Sequence, residues 1–348
     1  MTTGTSLERV CLLLADLSGY TAYLANSEPD HAAALAGDLV ETVVRQLRPT
    51  FRLAKLEGDA AFLVAPLDRL DGPMLLDAID AAYDAFRRRM QSVTGATTCD
   101  CDSCSRVPDL DLKFAVHAGS VVRHRVAGRE ELAGTDAIIA HRLLKAASPG
   151  AAGFARYALL TGALVEALGL DAEALGLVSA TEQFEHLGEV PVHLLDLDHR
   201  TATQGRPWAP PRRAALAEAE LRLDAMPMAV WEQLTSPRLR PGWEGIERVE
   251  EATVAGRRGV GTMNACVADR LASVEEILEW RPFEAFVRRA SVPGVGRLAV
   301  RYELTREEDA TRLLGRWYGP ASAAALAAGQ RSNLDRLADA LEVNDADR

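Results

Sequence analysis

The stretch Leu12-Leu13-Leu14-Ala15-Asp16-Leu17-Ser18-Gly19-Tyr20-Thr21, followed later by Lys55-Leu56-Glu57-Gly58-Asp59, decides how the first half of this chain is read. Val10 to Ala15 is an unbroken apolar run of strand length, the pattern of a strand buried on both faces, and Ser18-Gly19 breaks it. Asp16 then stands at the mouth of that strand. Phe51 to Leu56 and Ala60 to Ala65 are two further strand-like runs, and the glycine in Glu57-Gly58-Asp59 suits a tight hairpin between them. If the hairpin pairs beside the first strand, Asp16 and Asp59 converge at one edge of a sheet. Two carboxylates that close repel unless a cation lies between them, and Mg²⁺ takes one or two carboxylates together with phosphate oxygens. Read singly, Asp16 is equally a cap for the following turn and Asp59 an ordinary hairpin residue.

Together the two segments resemble the metal-binding signatures of the class III nucleotidyl cyclases, and the similarity runs in order along residues 8 to 198. Val116-His117-Ala118-Gly119 resembles that family's strand ending in a His/Asn-x-Gly turn. Leu132-Ala133-Gly134 through Ala140-His141-Arg142-Leu143 resembles its Gly-x-x-Val-Asn-x-Ala-x-Arg-Leu helix, and Leu187-Gly188-Glu189-Val190 its closing segment. The resemblance implies an α+β, ferredoxin-like βαββαβ domain over residues 1–200. In it Asp16 and Asp59 hold Mg²⁺ or Mn²⁺, Lys55 and Glu131 read the adenine of ATP, and Arg142 stabilises the transition state on the way to cyclic AMP. It also implies a homodimer, because class III sites form between two domains, with the metal residues of one chain facing Lys55 and Arg142 of the other.

The departures matter as much. Ile138 stands where the family has its transition-state asparagine, Glu131 is one methylene longer than the usual Asp, and the phosphate-binding lysine of some members is missing near Val190. Loss of one preorganised donor lowers turnover by about a hundred- to a thousandfold. Two readings follow from the resemblance: a nucleotide- and metal-binding signalling protein with weak adenylate cyclase activity, or a non-catalytic relative that only dimerises or holds nucleotide. Read from its helix alone, Arg142 is a solvated surface arginine.

Five cysteines occur, three of them in Cys99-Asp100-Cys101-Asp102-Ser103-Cys104. They are too crowded for conventional pairing and are expected to stay reduced in a cytosol. A Cys-x-Cys-x-x-Cys loop can bring three thiolates to Zn²⁺, with a fourth ligand from elsewhere, for which His117 and Cys11 are the candidates. The alternative is a polar loop with incidental thiols. This insertion resembles a divergent bacterial subfamily of cyclase-like domains, which shares the His-Arg-Leu-Leu-Lys run at His141 to Lys145.

The 348 residues suffice for two cores, and 48% hydrophobic with 26% charged residues is ordinary globular composition. A net charge of -11 argues against a nucleic-acid or anionic-membrane surface, and no apolar run is long enough to span a bilayer. Met1-Thr-Thr-Gly-Thr-Ser lacks the basic start and apolar segment of a signal peptide, so a cytoplasmic location is expected.

Residues 201–213, with Pro207, Pro210 and Pro211, read as a linker. Beyond it, over 214–348, Ala217 to Ala225 and Arg297 to Thr305 alternate in the manner of half-exposed antiparallel strands, and Ala323 to Leu341 keeps helical spacing. This order of elements, with Met228 to Pro237, Gly259-Val260-Gly261-Thr262 and Glu279-Trp280-Arg281-Pro282, resembles the START-like (SRPBCC, polyketide cyclase/dehydrase-type) superfamily, whose helix-grip fold surrounds an apolar cavity. The resemblance implies a hydrophobic small-molecule ligand. Trp231, Trp243, Trp280, Phe283, Phe286, Tyr302 and Trp317 supply aromatic surface for such a cavity, or are simply core.

Overall fold

The structure, a computed structural model, is described for residues 7–48, 50–96, 99, 101–198, 208–210, 215–268, 271–292 and 294–346. The chain divides into two compact units, Met1–Thr201 and Ala202–Arg348. Of the proline-rich linker expected over 201–213, all but residues 208–210 lies outside the described residues.

One mixed sheet organises the first unit. Strand β1 (Leu7–Ser18) lies between β3 (Ala60–Pro66) and β4 (Asp111–Val126) and runs antiparallel to both; β2 (Arg52–Glu57) pairs with β3 across the Gly58-Asp59 turn. Beyond β4 come β6 (Tyr157–Thr161), β8 (Gly188–Asp196) and β7 (Val178–Phe184), giving the order β2-β3-β1-β4-β6-β8-β7, while β5 (Arg129–Ala133) folds back on β4. Val10 to Ala15 are each at most 2% exposed, the two-sided burial that an unbroken apolar run requires. Val10, Leu12 and Leu14 pack with Ala137, Ala140 and Leu143 of helix α5 (Thr135–Leu143). The alternate residues Cys11, Leu13 and Ala15 point to the opposite face, equally buried.

Helices α1 (Tyr20–Ala25), α2 (Pro29–Leu47) and α3 (Gly72–Ala96) join the early strands, with α2 and α3 packed on each other and on the sheet. Short α4 (Asp102–Ser105) precedes β4, and α6 (Ser148–Ala151) and α7 (Gly162–Ala167) flank β6.

The turn expected after Val116-His117-Ala118-Gly119 is not formed. β4 runs through this segment to Val126, in register with β1 as far as Leu7↔Val122, and turns only at Ala127-Gly128. Gly119 is needed for space: a Cβ there would stand 2.3 Å from Asp136. Asp136 Oδ2 accepts the Ser120 N–H at 2.6 Å, and this docks the start of α5 onto the strand.

The second unit is an antiparallel sheet of seven strands: β9 (Ala217–Leu223), β10 (Arg248–Ala252), β11 (Met263–Ala268), β12 (Leu271–Arg281), β13 (Ala285–Val292), β14 (Gly296–Glu307) and β15 (Ala310–Tyr318), in the order β10-β11-β12-β13-β14-β15-β9. Helices α8 (Pro227–Thr235) and α9 (Pro241–Glu244) lie between β9 and β10, and α10 (Ala324–Ala346) closes the chain. The alternation read from sequence holds on β14, where Leu298, Val300, Tyr302 and Leu304 are buried.

The aromatic residues read as cavity lining or as core pack on one another among the described residues. Trp231 meets Trp280, Phe286 and Phe283 at ring-centroid distances of 4.8, 5.4 and 5.9 Å, and the chain of rings continues from Phe286 to Tyr302 and Trp317. Trp243 is buried too and donates through Nε1 to the Gln233 carbonyl at 2.9 Å. Edge-to-face contacts of this kind are favourable beyond the area that they bury. The cleft that Trp280 and Phe286 do line is shared with Arg240, Glu251, Asn264 and Arg288 and has room for about one water molecule. Among the described residues no helix is long and apolar enough to cross a membrane.

Candidate functional site

Strand register brings the two aspartates together. Asp16 pairs across the sheet with Ala60, the residue after Asp59, and also with Lys113 on the other side. Burial, and then the Asp16 carboxylate, push the Asp59 carboxyl above its ordinary range. That is the signature of two acids sharing one corner. Lys113 was not legible as part of this corner, yet its Nζ lies 3.0 Å from Asp16 Oδ2 and donates to the Leu144 carbonyl at 3.3 Å. The donor set of two hard carboxylate oxygens suits Mg²⁺ or Mn²⁺, and Lys113 is the competitor that such an ion would have to displace.

Lys55 stands on the same hairpin, four residues before Asp59. Its Nζ is 2.8 Å from Glu57 Oε1 and 3.6 Å from Glu131 Oε2, so β2 and β5 bring the lysine and Glu131 together. The hydrogen bond to Glu57 is the main reason its ammonium is held above the ordinary lysine value. At 41% and 31% side-chain exposure, the Lys55–Glu57 pair belongs to a class worth about 0–1 kcal/mol, so a ligand can take Lys55 over at little cost. His141 completes the cluster: Nδ1 is 3.1 Å from Glu57 Oε2, its ring is 4.7 Å from that of Phe62, and burial pulls its pKa below the usual imidazole value. Glu57 and His141 escaped the sequence reading because neither has a spacing that marks it.

Arg142 lies exposed on α5 and makes no ion pair among the described residues. Ile138, one turn earlier on the same helical face, is 52% exposed. An apolar side chain, which offers no hydrogen bond, thus stands beside Arg142.

The cysteine loop corrects an expectation. His117 is on β4 between Thr161 Oγ1, 2.9 Å from Nδ1, and Asp136 Oδ1, 3.1 Å from Nε2; Cys11 is fully buried in the middle of β1. Neither belongs to the group of ligand atoms at the loop. The residue that joins Cys99, Cys101 and Cys104 is His31, in the first turn of α2, and the ligand atoms of these four lie within 4.8 Å of one another. Sequence reasoning missed His31 because nearly seventy residues separate it from the loop.

The family model described as "Protein of unknown function (DUF2652)" matches residues 36–151. A curated relative, the uncharacterized protein Rv2561/Rv2562 of Mycobacterium tuberculosis, is 34% identical over 173 residues, which is 50% of this chain and 76% of that protein. Among solved structures, the guanylyl cyclase Cya2 is similar at 14% identity and a TM-score of 0.43, over 55% of this chain and 93% of that one. The adenylyl cyclase CyaB from P. aeruginosa is similar at 13% identity and a TM-score of 0.40, over 56% and 96%. DynU16, from the dynemicin biosynthetic locus, shows 26% identity and a TM-score of 0.31 over 37% and 47%.

Proposed function

The chain belongs to the family of the M. tuberculosis protein Rv2561/Rv2562, and we propose that its first unit is a ferredoxin-like, class III cyclase-homology domain that binds a divalent cation and ATP. The observation that carries this reading is the convergence of Asp16 and Asp59 at one corner of the sheet, with the Lys55–Glu131 pair on the adjoining strands. Asp16 and Asp59 would hold Mg²⁺ or Mn²⁺, which when bound neutralises the two carboxylates and polarises phosphate oxygens. Lys55 has a donor for adenine N1 and Glu131 an acceptor for the exocyclic amine. Arg142 would meet the triphosphate of a site shared between two copies, and exposed Leu56 and Ile138 beside this corner supply apolar surface for the homodimer.

A second reading, a non-catalytic relative that holds nucleotide without converting it, is favoured by Ile138 and by the Lys113–Asp16 pair. Incubation with ATP or GTP and Mn²⁺, followed by analysis for cyclic product, separates the two. Cyclic AMP formation is expected to be very slow or absent. Ile138→Asn is expected to raise it at least tenfold, because one preorganised donor is worth about 3–4 kcal/mol in a transition state. Ordinary cyclase rates in the parent would contradict the placement of Ile138. A silent variant that still binds ATP decides for the non-catalytic reading.

Base choice gives an independent test. Adenine N1 accepts a hydrogen bond and guanine N1 donates one, so ATP is expected to bind more tightly than GTP by about 1–2 kcal/mol. Competition against a fluorescent nucleotide measures this, and Lys55→Glu should erase or reverse the preference. Equal affinities in the parent count against the pocket.

For the second unit we propose a helix-grip, START-like domain, supported by its seven-stranded antiparallel sheet and long closing helix. A hydrophobic ligand there would require the packed aromatics to part.

A further inference from the structure

We propose that His31, Cys99, Cys101 and Cys104 form a closed, structural zinc site that clips the loop after α3 to the start of α2. The inference does not depend on the nucleotide reading. Cys101 Sγ lies 3.2 Å from His31 Nδ1, and Cys104 Sγ lies 3.7 Å from His31 Nε2. A tetrahedral zinc ion with its usual bonds to sulfur and imidazole nitrogen sets its ligand atoms about 3.5–3.8 Å apart. The two contacts are to different nitrogens of the imidazole, of which one ion would take one, and with one ligand atom from each of the four residues the group lies within 4.8 Å, about 1 Å wider than the spacing that a bound ion would draw it to. Three sulfurs and an imidazole are soft and borderline donors, which select zinc over Mg²⁺ or Ca²⁺, and four protein ligands leave no open position for a substrate.

The backbone on both sides of the cluster is fixed independently of any metal. Ser103 donates to the Glu28 carboxylate through its backbone N–H at 2.9 Å and its hydroxyl at 2.6 Å, and the Asp102 N–H adds a longer bond at 3.3 Å. Tyr23 donates through its hydroxyl to the Ser103 carbonyl at 3.0 Å. Glu28 is the residue preceding α2 and His31 follows three positions later, so these bonds hold α4 where Cys104, and Cys101 at its N-cap, face the imidazole. Cys101 also accepts the Cys104 N–H on its sulfur at 3.4 Å. A backbone N–H directed at sulfur orients and stabilises a thiolate, the form that binds metal. With three thiolates and a neutral imidazole the site would carry a net charge of about -1 around Zn²⁺.

The clip has a structural consequence. Beyond Cys104 the chain passes through Asp109 into β4, and a Cβ at Gly19 would lie 2.9 Å from the Asp109 carbonyl oxygen. Gly19, at φ 86, is the turn that follows Asp16 and β1. Fixing the loop thus supports the turn from which α1 starts.

Tag-free protein expressed with zinc in the medium is expected to contain about one zinc per chain by elemental analysis. Removal with a chelator and titration with Co²⁺ should give thiolate-to-cobalt charge-transfer absorption and the intense visible bands of tetrahedral cobalt. Cys101→Ser and Cys104→Ser should lose most of the metal. If those variants do not fold, His31→Cys provides the complementary test, since it offers four thiolates and should retain zinc. Three results would overturn the proposal: no metal in the parent with no charge-transfer band on cobalt addition, an unchanged zinc content in both serine variants, or a zinc-free parent in which thiol titration finds two cysteines oxidised to a disulfide.

Discussion

Asp59→Asn is expected to weaken Mn²⁺-dependent binding of ATP at least tenfold, about 1.4 kcal/mol or more, while leaving the first unit folded. Metal-free binding should hardly change. The fold tolerates the substitution because burial and Asp16 already make an ionised Asp59 unfavourable. A carboxyl whose native pKa is raised costs stability as pH climbs from its unfolded value through its native one, and an uncharged amide removes that cost. Asp16→Asn should weaken binding as much, but it also takes the partner from Lys113, which is only 19% exposed, and so is expected to lower stability. Isothermal calorimetry and thermal melting together read both effects. Unchanged ATP affinity in both variants at saturating Mn²⁺ would reduce these aspartates to turn residues.

Glu244→Gln is expected to destabilise the second unit by about 3–5 kcal/mol. Glu244, Arg240, Glu275 and Arg288 are each at most 6% exposed and form a balanced cluster of two positive and two negative charges. Arg240 bonds Glu244 and Glu275 at 2.7 Å each, and Arg288 grips Glu244 through both terminal nitrogens. Burial alone would raise the Glu244 pKa, but the two guanidinium groups outweigh it and hold the carboxyl well below the usual range. Its contribution is therefore present above the unfolded carboxylate pKa and fades as pH falls below it. Loss of the one charge leaves a buried excess of positive charge. Glu244→Leu combined with Arg288→Met restores the balance and should cost less than Glu244→Gln alone. Urea denaturation followed by tryptophan fluorescence measures both. A Glu244→Gln variant within about 1 kcal/mol of the parent would show that water reaches the cluster.

Much of this fold could be read locally. Leu12 to Ala15 could only be a strand buried on both faces, the hairpin at Gly58-Asp59 fell where the glycine placed it, and Leu298, Val300, Tyr302 and Leu304 alternate as a one-sided strand must. The convergence of Asp16 and Asp59 then required only that the hairpin pair beside β1. What stayed hidden depends on contacts between distant segments. Gly119 looks like a turn residue in sequence, yet its lack of a side chain makes room for Asp136, and the strand continues. Lys113 reads as one residue of an amphipathic strand until β1 sets it against Asp16. His31 reads as a polar position on α2 until α4 folds over it. The charge cluster of the second unit was invisible because charged residues ordinarily mark the surface, and only the three-dimensional pairing of Arg240 and Arg288 with Glu244 and Glu275 makes their burial tolerable.

Calorimetric titration of ATP into the parent chain, with Mn²⁺ at saturation and again after its removal by chelation, tests the central claim most directly. Saturable binding with Mn²⁺ that weakens at least tenfold without it is the outcome expected of a metal corner built by Asp16 and Asp59. Absence of binding in both conditions, or binding that ignores the metal, would contradict it.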